Sequence, residues 1–577
     1  MFLRVHPFQR LDDPKLALRL CGTLVVLAAV AVYANTLLNG FVYDDLHQVL
    51  EDQRIRSIDR LPDVFISGVW SFKWGPSSYY RPMMQLSYFI VCQFFGLTPW
   101  AYHAANVFIH ALASLALWGL ALRLLKGRPG RLSASTVAAT LFALHPVHTE
   151  AVAWVAAIPD LFLGLFGLSS LLAYTYAAEG RKAPYWTSLA LFCFALLSKE
   201  PAIVLPAILV IIDLYFARDG GTVRRIRRLA PFGAAAVLYL AIRRAALGGI
   251  APPGLHADLD LGTAVLTGFS YLSHYVRLCL WPQPLNALYT FHPVKTLFDP
   301  YVIASSIVVV MLCWFLLRWY RDRERTVAIL LFALPLLPAL YVPALGEGGL
   351  AERYLYLPLA GVALGAGQLY QAIAARGTTR ALPILVLALV VVPCVGTAVT
   401  RNAAWRDEKS LWVDTVEKSP SSAVAREFLC YAYLQKRELE AALRECRESI
   451  RLDSRRTNAH VNQGAVLLEL GRSEEAVASY REAIALNPRS FEARFGSGTA
   501  LLLAGRFSQA RDALMAAAAL NDGHPLVHDM LGIAQAQTGD AVAAERSFRR
   551  AIELDPGQPV FREHLEATLR APGGTSP

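Results

Sequence analysis

The hydropathy of the chain divides it into two parts of different character. Up to about Thr400, apolar segments long enough to cross a membrane follow one another, separated by short polar loops. A membrane-spanning helix needs about 20 predominantly apolar residues. After residue 400 no such run occurs, and the sequence is rich in Ala, Leu, Glu and Arg instead. The pattern predicts an all-α protein, in which a polytopic bundle of membrane helices precedes a soluble helical region.

Basic residues fall in every second loop of the membrane part, as at 123–131 and 318–325, and this gives it an orientation. Cytoplasmic loops carry such an excess of Lys and Arg. We therefore predict eleven spans, with the N-terminus in the cytoplasm and the C-terminus outside. The spans are predicted at 16–38, 104–125, two within 133–178, two within 185–216, then 229–247, 301–320, 327–345, 354–374 and 382–400, with interfacial segments at 82–97 and 261–281.

The soluble region repeats itself every 34 residues. Aligned from Ala423, Thr457, Phe491 and Pro525, the eighth position is always small and the twentieth is always Ala. Small residues allow paired helices to touch, and this period is typical of tetratricopeptide repeats (TPR). We predict a membrane domain at 1–400, a connecting half-repeat at 401–422, four TPR units at 423–558, and a capping helix with a tail at 559–577.

Composition narrows the classes of function. Hydrophobic residues make up 55% of the chain and the formal net charge is +10, but the basic excess lies in loops, and no nucleic-acid motif is present. The eight cysteines form no CxxC pair or His-spaced metal pattern, so we interpret them as small packing residues.

Four basic residues do not follow the charge rule, because they lie on the predicted outer face: Arg243, Arg244, Arg277 and Lys295. Phosphate binding would explain them.

Four polar clusters are predicted to share the outer face, each at a helix end. They are Tyr43-Asp44-Asp45, the stretch from His145 through His148 and Glu150 to Asp160, then Ser198-Lys199-Glu200, and Glu352-Arg353-Tyr354. Ionisable residues in such positions usually mark a site, and paired carboxylates can supply a base toward a hydroxyl. The alternatives are structural: a solvated loop, interfacial hydrogen bonds of the histidines, turn chemistry at 198–200, and an ion pair within 352–353.

With these motifs the chain resembles the transmembrane-and-TPR O-mannosyltransferases (TMTC-like) and their bacterial relatives, in the GT-C class of membrane glycosyltransferases. The resemblance rests on the ordered segments 39–45, 80–82, 102–106, 145–151, 197–200 and 352–358, followed by TPR units. The sequence departs from the family pattern at Ala157-Ile158-Pro159-Asp160, where a Gly-Arg-x-Asp run is expected. The resemblance implies a mannose-like sugar on a polyprenyl or dolichyl phosphate, transfer to an acceptor hydroxyl on the non-cytoplasmic face, and inversion at the anomeric carbon.

The resemblance and the residue chemistry together suggest roles for the site residues. Asp44 is the predicted base, with Asp45 as the alternative or as the residue that holds a cation or the acceptor. Lys199, Arg353 and the pair Arg243-Arg244 are predicted to neutralise the departing lipid phosphate. The other predicted substrate-binding residues are Tyr43, Arg81, His103, His145, His148, Glu150, Asp160, Glu200, Glu352 and Tyr354. A divalent cation is left open, with Asp45 and Glu150 as its ligands if one binds.

Two other classes of function are weighed against this one. A non-catalytic membrane scaffold would bind partners through its TPR units, but it needs neither eleven spans nor an acidic pair. A transporter would place charges at mid-membrane on broken helices, whereas these lie at outer helix ends. The expected partners are the lipid-linked donor, membrane lipid, and a protein or peptide acceptor in the TPR groove, with no nucleic acid. We expect a bacterial inner membrane with periplasmic repeats, or, in a eukaryote, the endoplasmic reticulum membrane with luminal repeats.

Overall fold

The structure is a computed structural model, and it describes residues 13–72, 79–217, 221–249, 256, 258–375 and 381–570. Every regular element within those ranges is a helix, so the predicted all-α fold is confirmed. The chain divides into two compact units, Met1–Leu411 and Trp412–Pro577. The predicted tail beyond residue 570 lies outside the described residues.

The first unit contains the predicted membrane part. Its helices among the described residues are α1 (Pro14–Tyr33), α2 (Asp45–Gln48), α3 (Asp63–Ile66), α4 (Pro82–Phe95), α5 (Pro99–Leu124), α6 (Arg131–Leu144), α7 (Thr149–Ala153), α8 (Ile158–Ala177), α9 (Lys182–Ser198), α10 (Leu205–Phe216), α11 (Thr222–Leu247), α12 (Leu261–Leu280), α13 (Pro300–Trp319), α14 (Arg323–Leu336), α15 (Pro358–Ala374) and α16 (Ala381–Ala404). The next helix, α17 (Glu408–Lys418), begins in the first unit and ends in the second.

A helix lies at each position where a span is predicted, but the helices differ in length. By length and composition, six helical segments among the described residues could cross a membrane: Pro14–Leu38, Pro99–Leu124, Val155–Ala177, Thr222–Leu247, Pro300–Trp319 and Ile384–Ala404. The other five, α6, α9, α10, α14 and α15, have between 12 and 17 residues. Each of these five helices has a proline within three residues of one of its ends, and that proline stops or starts the helix. The eleven-span topology therefore stays a prediction.

Two glycines fix the position of α15 in the core. A Cβ atom at Gly361 would overlap the backbone of Ala328 in α14, and one at Gly367 would overlap the backbone of Ala134 in α6. Small residues at such points let membrane helices approach closely. Because α15 is held by both neighbours, the turn Glu352–Leu355 that precedes it also has a fixed position.

The second unit consists of helix pairs at the predicted period. The pairs are α18 (Ala423–Gln435) with α19 (Leu439–Leu452), α20 (Thr457–Glu469) with α21 (Ser473–Leu486), α22 (Phe491–Leu503) with α23 (Phe507–Leu520), and α24 (Pro525–Gln537) with α25 (Ala541–Leu554), followed by α26 (Pro559–Arg570). In the last three pairs the glycine at the eighth position contacts a large side chain at the twenty-fourth. These contacts join Gly464 to Tyr480, Gly498 to Leu514, and Gly532 to Phe548.

The first pair has a disulfide at those same two positions. Cys430 of α18 and Cys446 of α19 are bonded, with 5.2 Å between their Cα atoms. The interpretation of all eight cysteines as packing residues is therefore wrong for these two. The physical reason is that the eighth and twenty-fourth positions face each other across every helix pair, so cysteines there lie within bonding distance.

Candidate functional site

The acidic pair lies at the start of α2, where Asp44 directly precedes the helix and Asp45 is its first residue, and the two have different surroundings. Asp45 is fully buried. Its carboxylate oxygens accept hydrogen bonds from the backbone N–H groups of Val42, at 3.1 Å, and Ala156, at 2.7 Å. Charge-assisted bonds of this kind are strong. Asp45 therefore fastens its loop to the short turn between α7 and α8, and neither of its oxygens is left without a donor.

Asp44 is half-buried, and its carboxylate makes no hydrogen bond or ion pair with a described residue. The residue before it, Tyr43, has a φ of 54°, a conformation that non-glycine residues seldom adopt. Burial raises the pKa of Asp44 to about 7, with Arg353 and Arg81 opposing the shift and Glu408 adding to it. A carboxyl group that titrates near neutral pH and has unengaged oxygens is suited to proton transfer.

Glu352 and Arg353 contact two different segments of the first unit. Arg353 donates to Glu150 twice, through Nη1 and through its backbone N–H, the latter at 2.9 Å. Glu352 is fully buried and accepts from the backbone N–H of Asn286 and, at 2.7 Å, from the Tyr289 hydroxyl. Arg353 therefore pairs with the predicted site residue Glu150 rather than with its sequence neighbour.

Three further ion pairs complete the charged cluster. Lys199, at the end of α9, has its Nζ 2.5 Å from Oδ1 of Asp160 in α8, and both side chains are buried. Glu200 is shared by two arginines, with Arg243 Nη1 at 2.6 Å and Arg81 Nη2 at 3.6 Å. The predicted site residues from four distant parts of the sequence are thus brought into specific contacts.

Electrostatic effects link these pairs to Asp44. Arg353 and Arg81 lower the pKa of Asp44, and they also lower the pKa of Lys199. Burial is the main cause of the Lys199 shift and takes its pKa to about 8, while Asp160 opposes it. Lys199 therefore still carries a proton at neutral pH, and Arg353 and Arg81 act electrostatically on both Lys199 and Asp44.

Aromatic rings support the cations from one side. The ring centroid of Tyr354 lies 4.8 Å from Lys199 Nζ and 5.0 Å from the Arg353 guanidinium carbon. The Arg353 guanidinium also lies over Trp154, at 5.2 Å. Cation–π contacts of this kind are favourable where water is partly excluded, so Tyr354 holds two of the predicted phosphate-binding cations next to each other.

Two predicted histidines have backbone partners. His103 in α5 contacts the carbonyl oxygen of Gly40 at 3.2 Å, which supports the loop that carries the acidic pair. His145 donates from Nε2 to the carbonyl oxygen of Cys279 at 3.1 Å. Both rings are buried, and their contacts connect helices to loops.

His148 and Arg244 lie outside the charged cluster. His148 is fully buried and packs on Phe142 and Tyr356, with ring centroids 4.5 Å apart in each case. Neither of its ring nitrogens has a hydrogen-bond partner among the described residues. Arg244 is exposed at the end of α11, and no described residue of the cluster contacts it. Only Arg243 of the predicted pair joins the site.

The site includes residues that sequence reasoning missed. Trp154 packs on Tyr43, with ring centroids 5.5 Å apart, and on Trp405, at 5.8 Å. Glu408 accepts a hydrogen bond from the backbone N–H of Tyr43. In the sequence, Trp154 and Glu408 are recognisable only as a tryptophan and a glutamate near predicted spans. Their roles come from contacts between positions far apart in the chain, which the sequence does not show.

Each of the four carboxylate oxygens of Asp45 and Glu150 accepts one hydrogen bond from an N–H group. A carboxylate oxygen can bind a cation and accept a hydrogen bond at the same time, so a divalent cation held by these two residues stays a hypothesis. Within the described part of the chain, no group of three or more His, Cys, Asp or Glu side chains is arranged to hold an ion.

Comparisons with known proteins bear on both units. A family model described as tetratricopeptide repeat matches residues 461–525 and 504–559. Human protein O-mannosyl-transferase TMTC3 is 26% identical over 498 residues, which cover 79% of this chain and 54% of that protein. Human protein O-mannosyl-transferase TMTC4 is also 26% identical, over 68% of this chain and 61% of its own length. The resemblance to the TMTC O-mannosyltransferases is confirmed.

The similarity to TMTC proteins is higher over a shorter stretch. Mouse protein O-mannosyl-transferase TMTC2 is 33% identical over 196 residues, which cover 32% of this chain and 23% of that protein. The chain spans about half the length of the TMTC3 relatives it matches. Protein O-mannosyl transfer is the activity that these relatives are named for, and for this chain it is a proposal.

Proposed function

We propose that the chain is a membrane glycosyltransferase that moves a mannose-like sugar from a polyprenyl- or dolichyl-phosphate donor to a hydroxyl of a protein acceptor. The transfer takes place on the non-cytoplasmic face and inverts the anomeric carbon. The TMTC relatives support the class of reaction. The donor, the acceptor and the face are inferred from the charged cluster, the repeats and the basic loops.

The observation that carries the proposal is the contrast between Asp44 and the other carboxylates around it. Asp45, Glu150, Asp160 and Glu200 each accept from a backbone N–H, a lysine or an arginine. Asp44 has no such partner among the described residues, and its pKa is raised to about 7. Burying a polar group without a partner costs free energy, and perturbed groups of this kind cluster at functional sites.

In the proposed reaction the acceptor hydroxyl oxygen attacks the anomeric carbon of the sugar, and Asp44 takes the hydroxyl proton. The new carbon–oxygen bond forms as the bond from the anomeric carbon to the phosphate oxygen breaks. That oxygen leaves with the bonding electron pair. A single displacement from the opposite side inverts the anomeric carbon, and the step ends with Asp44 protonated and the lipid phosphate anionic.

The departing phosphate requires positive charge, which the cluster can supply. Lys199, Arg353 and Arg81 are held by carboxylates and by the Tyr354 ring. Fixed cations aimed at a developing anion stabilise it without reorganisation, and arginine can meet phosphate with two parallel hydrogen bonds. The carboxylate partners also limit the cost of holding these cations out of water.

The disulfide of the second unit supports a non-cytoplasmic location for the repeats. Disulfides persist in oxidising compartments such as the periplasm and the endoplasmic reticulum lumen, and Cys430 is bonded to Cys446. The basic loops independently favour the same face. We propose a protein acceptor because helical repeats bind extended segments through many contacts along a concave surface.

The test is sugar transfer by Asp44→Asn, with Asp59→Asn as the matched control. Asp59 is an exposed acid on the same predicted outer loop. Asparagine keeps the size of the side chain but cannot take the proton, so transfer should fall by about two to four powers of ten, while the control keeps wild-type transfer. Near-normal transfer by Asp44→Asn would contradict the base assignment. A wild-type protein that binds partners but transfers no sugar would favour the scaffold alternative.

A further inference from the structure

A short segment at the end of the first unit holds the loop that carries Asp44. This segment, residues 402–408, joins α16 to α17. The carbonyl oxygen of Asn402 accepts from Asn39 Nδ2 at 3.2 Å, and the carbonyl oxygen of Arg406 accepts from the N–H of Gly40 at 2.9 Å. The loop after α1 is therefore bonded to residues more than 360 positions later in the chain.

Three aromatic rings extend this contact toward the acidic pair. Trp405 is buried and stacks on Trp154, with ring centroids 5.8 Å apart and planes at 22°. Trp154 in turn packs on Tyr43, at 5.5 Å and 30°. Aromatic pairs at these separations are favourable beyond the area that they bury. The ring of Tyr43 is thus held, through Trp154, by the 402–408 segment.

Glu408 holds Tyr43 through the backbone. Its carboxylate, on the first residue of α17, accepts from the N–H of Tyr43. A non-glycine residue keeps a positive φ only where surrounding contacts enforce it, and this charge-assisted bond acts directly on the residue with a φ of 54°. Since Asp44 is the next residue, a change in the Tyr43 backbone would move the Asp44 carboxylate.

We propose that Glu408 is a positioning residue for Asp44, which it keeps in place by fixing the left-handed backbone of Tyr43. The inference rests on the proposed function, in which Asp44 is the base. With this role for Glu408, the residues that act in sugar transfer include the first turn of α17. The chain continues from that helix into the repeats.

Glu408 also acts on Asp44 as a charge. Arg353 and Arg81 lower the pKa of Asp44, and Glu408 raises it, in addition to the increase caused by burial. Asp45, the other adjacent carboxylate, is engaged by two backbone N–H groups. Removal of the Glu408 charge should therefore lower the pKa of Asp44, and the base should become active at lower pH.

The experiment compares Glu408→Gln, Glu408→Ala and Glu417→Gln in the full-length protein. Glutamine keeps an acceptor oxygen for Tyr43 but has no charge. We expect transfer within a few-fold of wild type at the optimum, and an acid limb of the kcat/KM profile displaced to lower pH. Alanine removes the bond, so kcat should fall about ten- to a hundredfold, as small misplacements of catalytic groups do. The KM for the lipid-linked donor should change little. Glu417, an exposed carboxylate on the same helix, should tolerate the change.

Wild-type kcat in Glu408→Ala would overturn the positioning role, and an unshifted acid limb in Glu408→Gln would overturn the charge effect. If Glu408→Ala does not fold, Glu408→Asp takes its place, because its shorter side chain sets the carboxylate back from the Tyr43 N–H, and wild-type kcat in that variant would equally overturn the positioning role. Asp44→Asn, measured alongside, separates the two hypotheses: normal transfer by that variant refutes the base assignment itself. Inactive Asp44→Asn with fully active Glu408→Ala refutes only the role of Glu408.

Discussion

Neighbouring carboxylates exposed to water would behave alike, and the difference between Asp44 and Asp45 arises from what each contacts. Asp45 receives two backbone N–H donors, one of them from Ala156, which is 111 residues away. Asp44 receives none from the described residues and lies near arginines instead. The sequence places both residues just after the first predicted span, but it cannot distinguish them, because their roles depend on tertiary partners.

The titration of Asp44 and Lys199 should determine how sugar transfer depends on pH. The base must be deprotonated, so kcat/KM should rise with pH through the raised pKa of Asp44, about 7. Lys199, proposed to stabilise the departing phosphate, must be protonated for that role, so activity should fall as pH rises through its lowered pKa, about 8. The measurement is a kcat/KM profile, which reports groups of the free enzyme. An acid limb near pH 4 would show that Asp44 keeps an ordinary pKa and would contradict the effect that its partial burial is expected to have.

At the scale of elements, the site residues lie where the apolar helices are interrupted. Proline cannot continue a helix, and the turns Glu200–Val204 and Glu352–Leu355 place charged side chains between apolar helices. Hydropathy and proline positions predict such interruptions from sequence. They do not predict which charges pair, since Arg353 selects Glu150 over its neighbour Glu352. Trp154 and Glu408 were not identified from the sequence for the same reason, since their contacts also depend on tertiary structure.

The cysteine pair shows a signal that was present in the sequence and overlooked. Cys430 and Cys446 occupy the eighth and twenty-fourth repeat positions, where the second repeat has Gly464 against Tyr480. Because those positions face each other in every TPR helix pair, two cysteines there indicate a disulfide. Alignment of the four repeats is therefore enough to predict the bond, whereas the separation of the two cysteines along the chain is not.

Removal of this disulfide should destabilise the repeats. The bond closes a sequence separation of 16 residues, for which the expected stabilisation is about 3 kcal/mol. Cys430→Ser with Cys446→Ser should therefore lower the unfolding temperature of the repeat unit, as followed by calorimetry. Cys313→Ser, at an exposed free cysteine, is the control. Cys430→Gly with Cys446→Tyr reproduces the glycine–tyrosine pair of the second repeat and should restore part of the loss.

Thiol labelling in intact cells tests the compartment with the same residues. If the repeats lie outside the cytoplasm, Cys430 and Cys446 should react with a maleimide only after reduction. Reaction without a reductant would remove the support that the disulfide gives to the proposed location.

For the molecule as a whole, the charged cluster and the repeats fall in different units. All the described site residues from Tyr43 to Glu408 precede the boundary at Leu411, and the TPR match begins at residue 461. Sugar transfer needs a fixed base and cations, which rigid membrane helices and their turns can provide. Acceptor capture needs many weak contacts along an extended chain, which a solenoid provides. Removal of the repeats should therefore impair acceptor capture more than the transfer step itself.

Two truncations should separate these roles. A chain ending after Lys418 keeps α17 whole and keeps Glu408, whereas one ending after Arg406 loses both. The longer form should bind the lipid-linked donor as well as wild type and transfer sugar normally to a short hydroxyl peptide, but transfer to a natural protein acceptor should fall at least about tenfold. The shorter form should keep donor binding, because the cations remain, yet lose transfer to both acceptors. Loss of donor binding in a folded chain ending after Lys418 would mean that the repeats help to build the donor site. Equal transfer by both truncations would show that the first turn of α17 contributes nothing to the Asp44 loop.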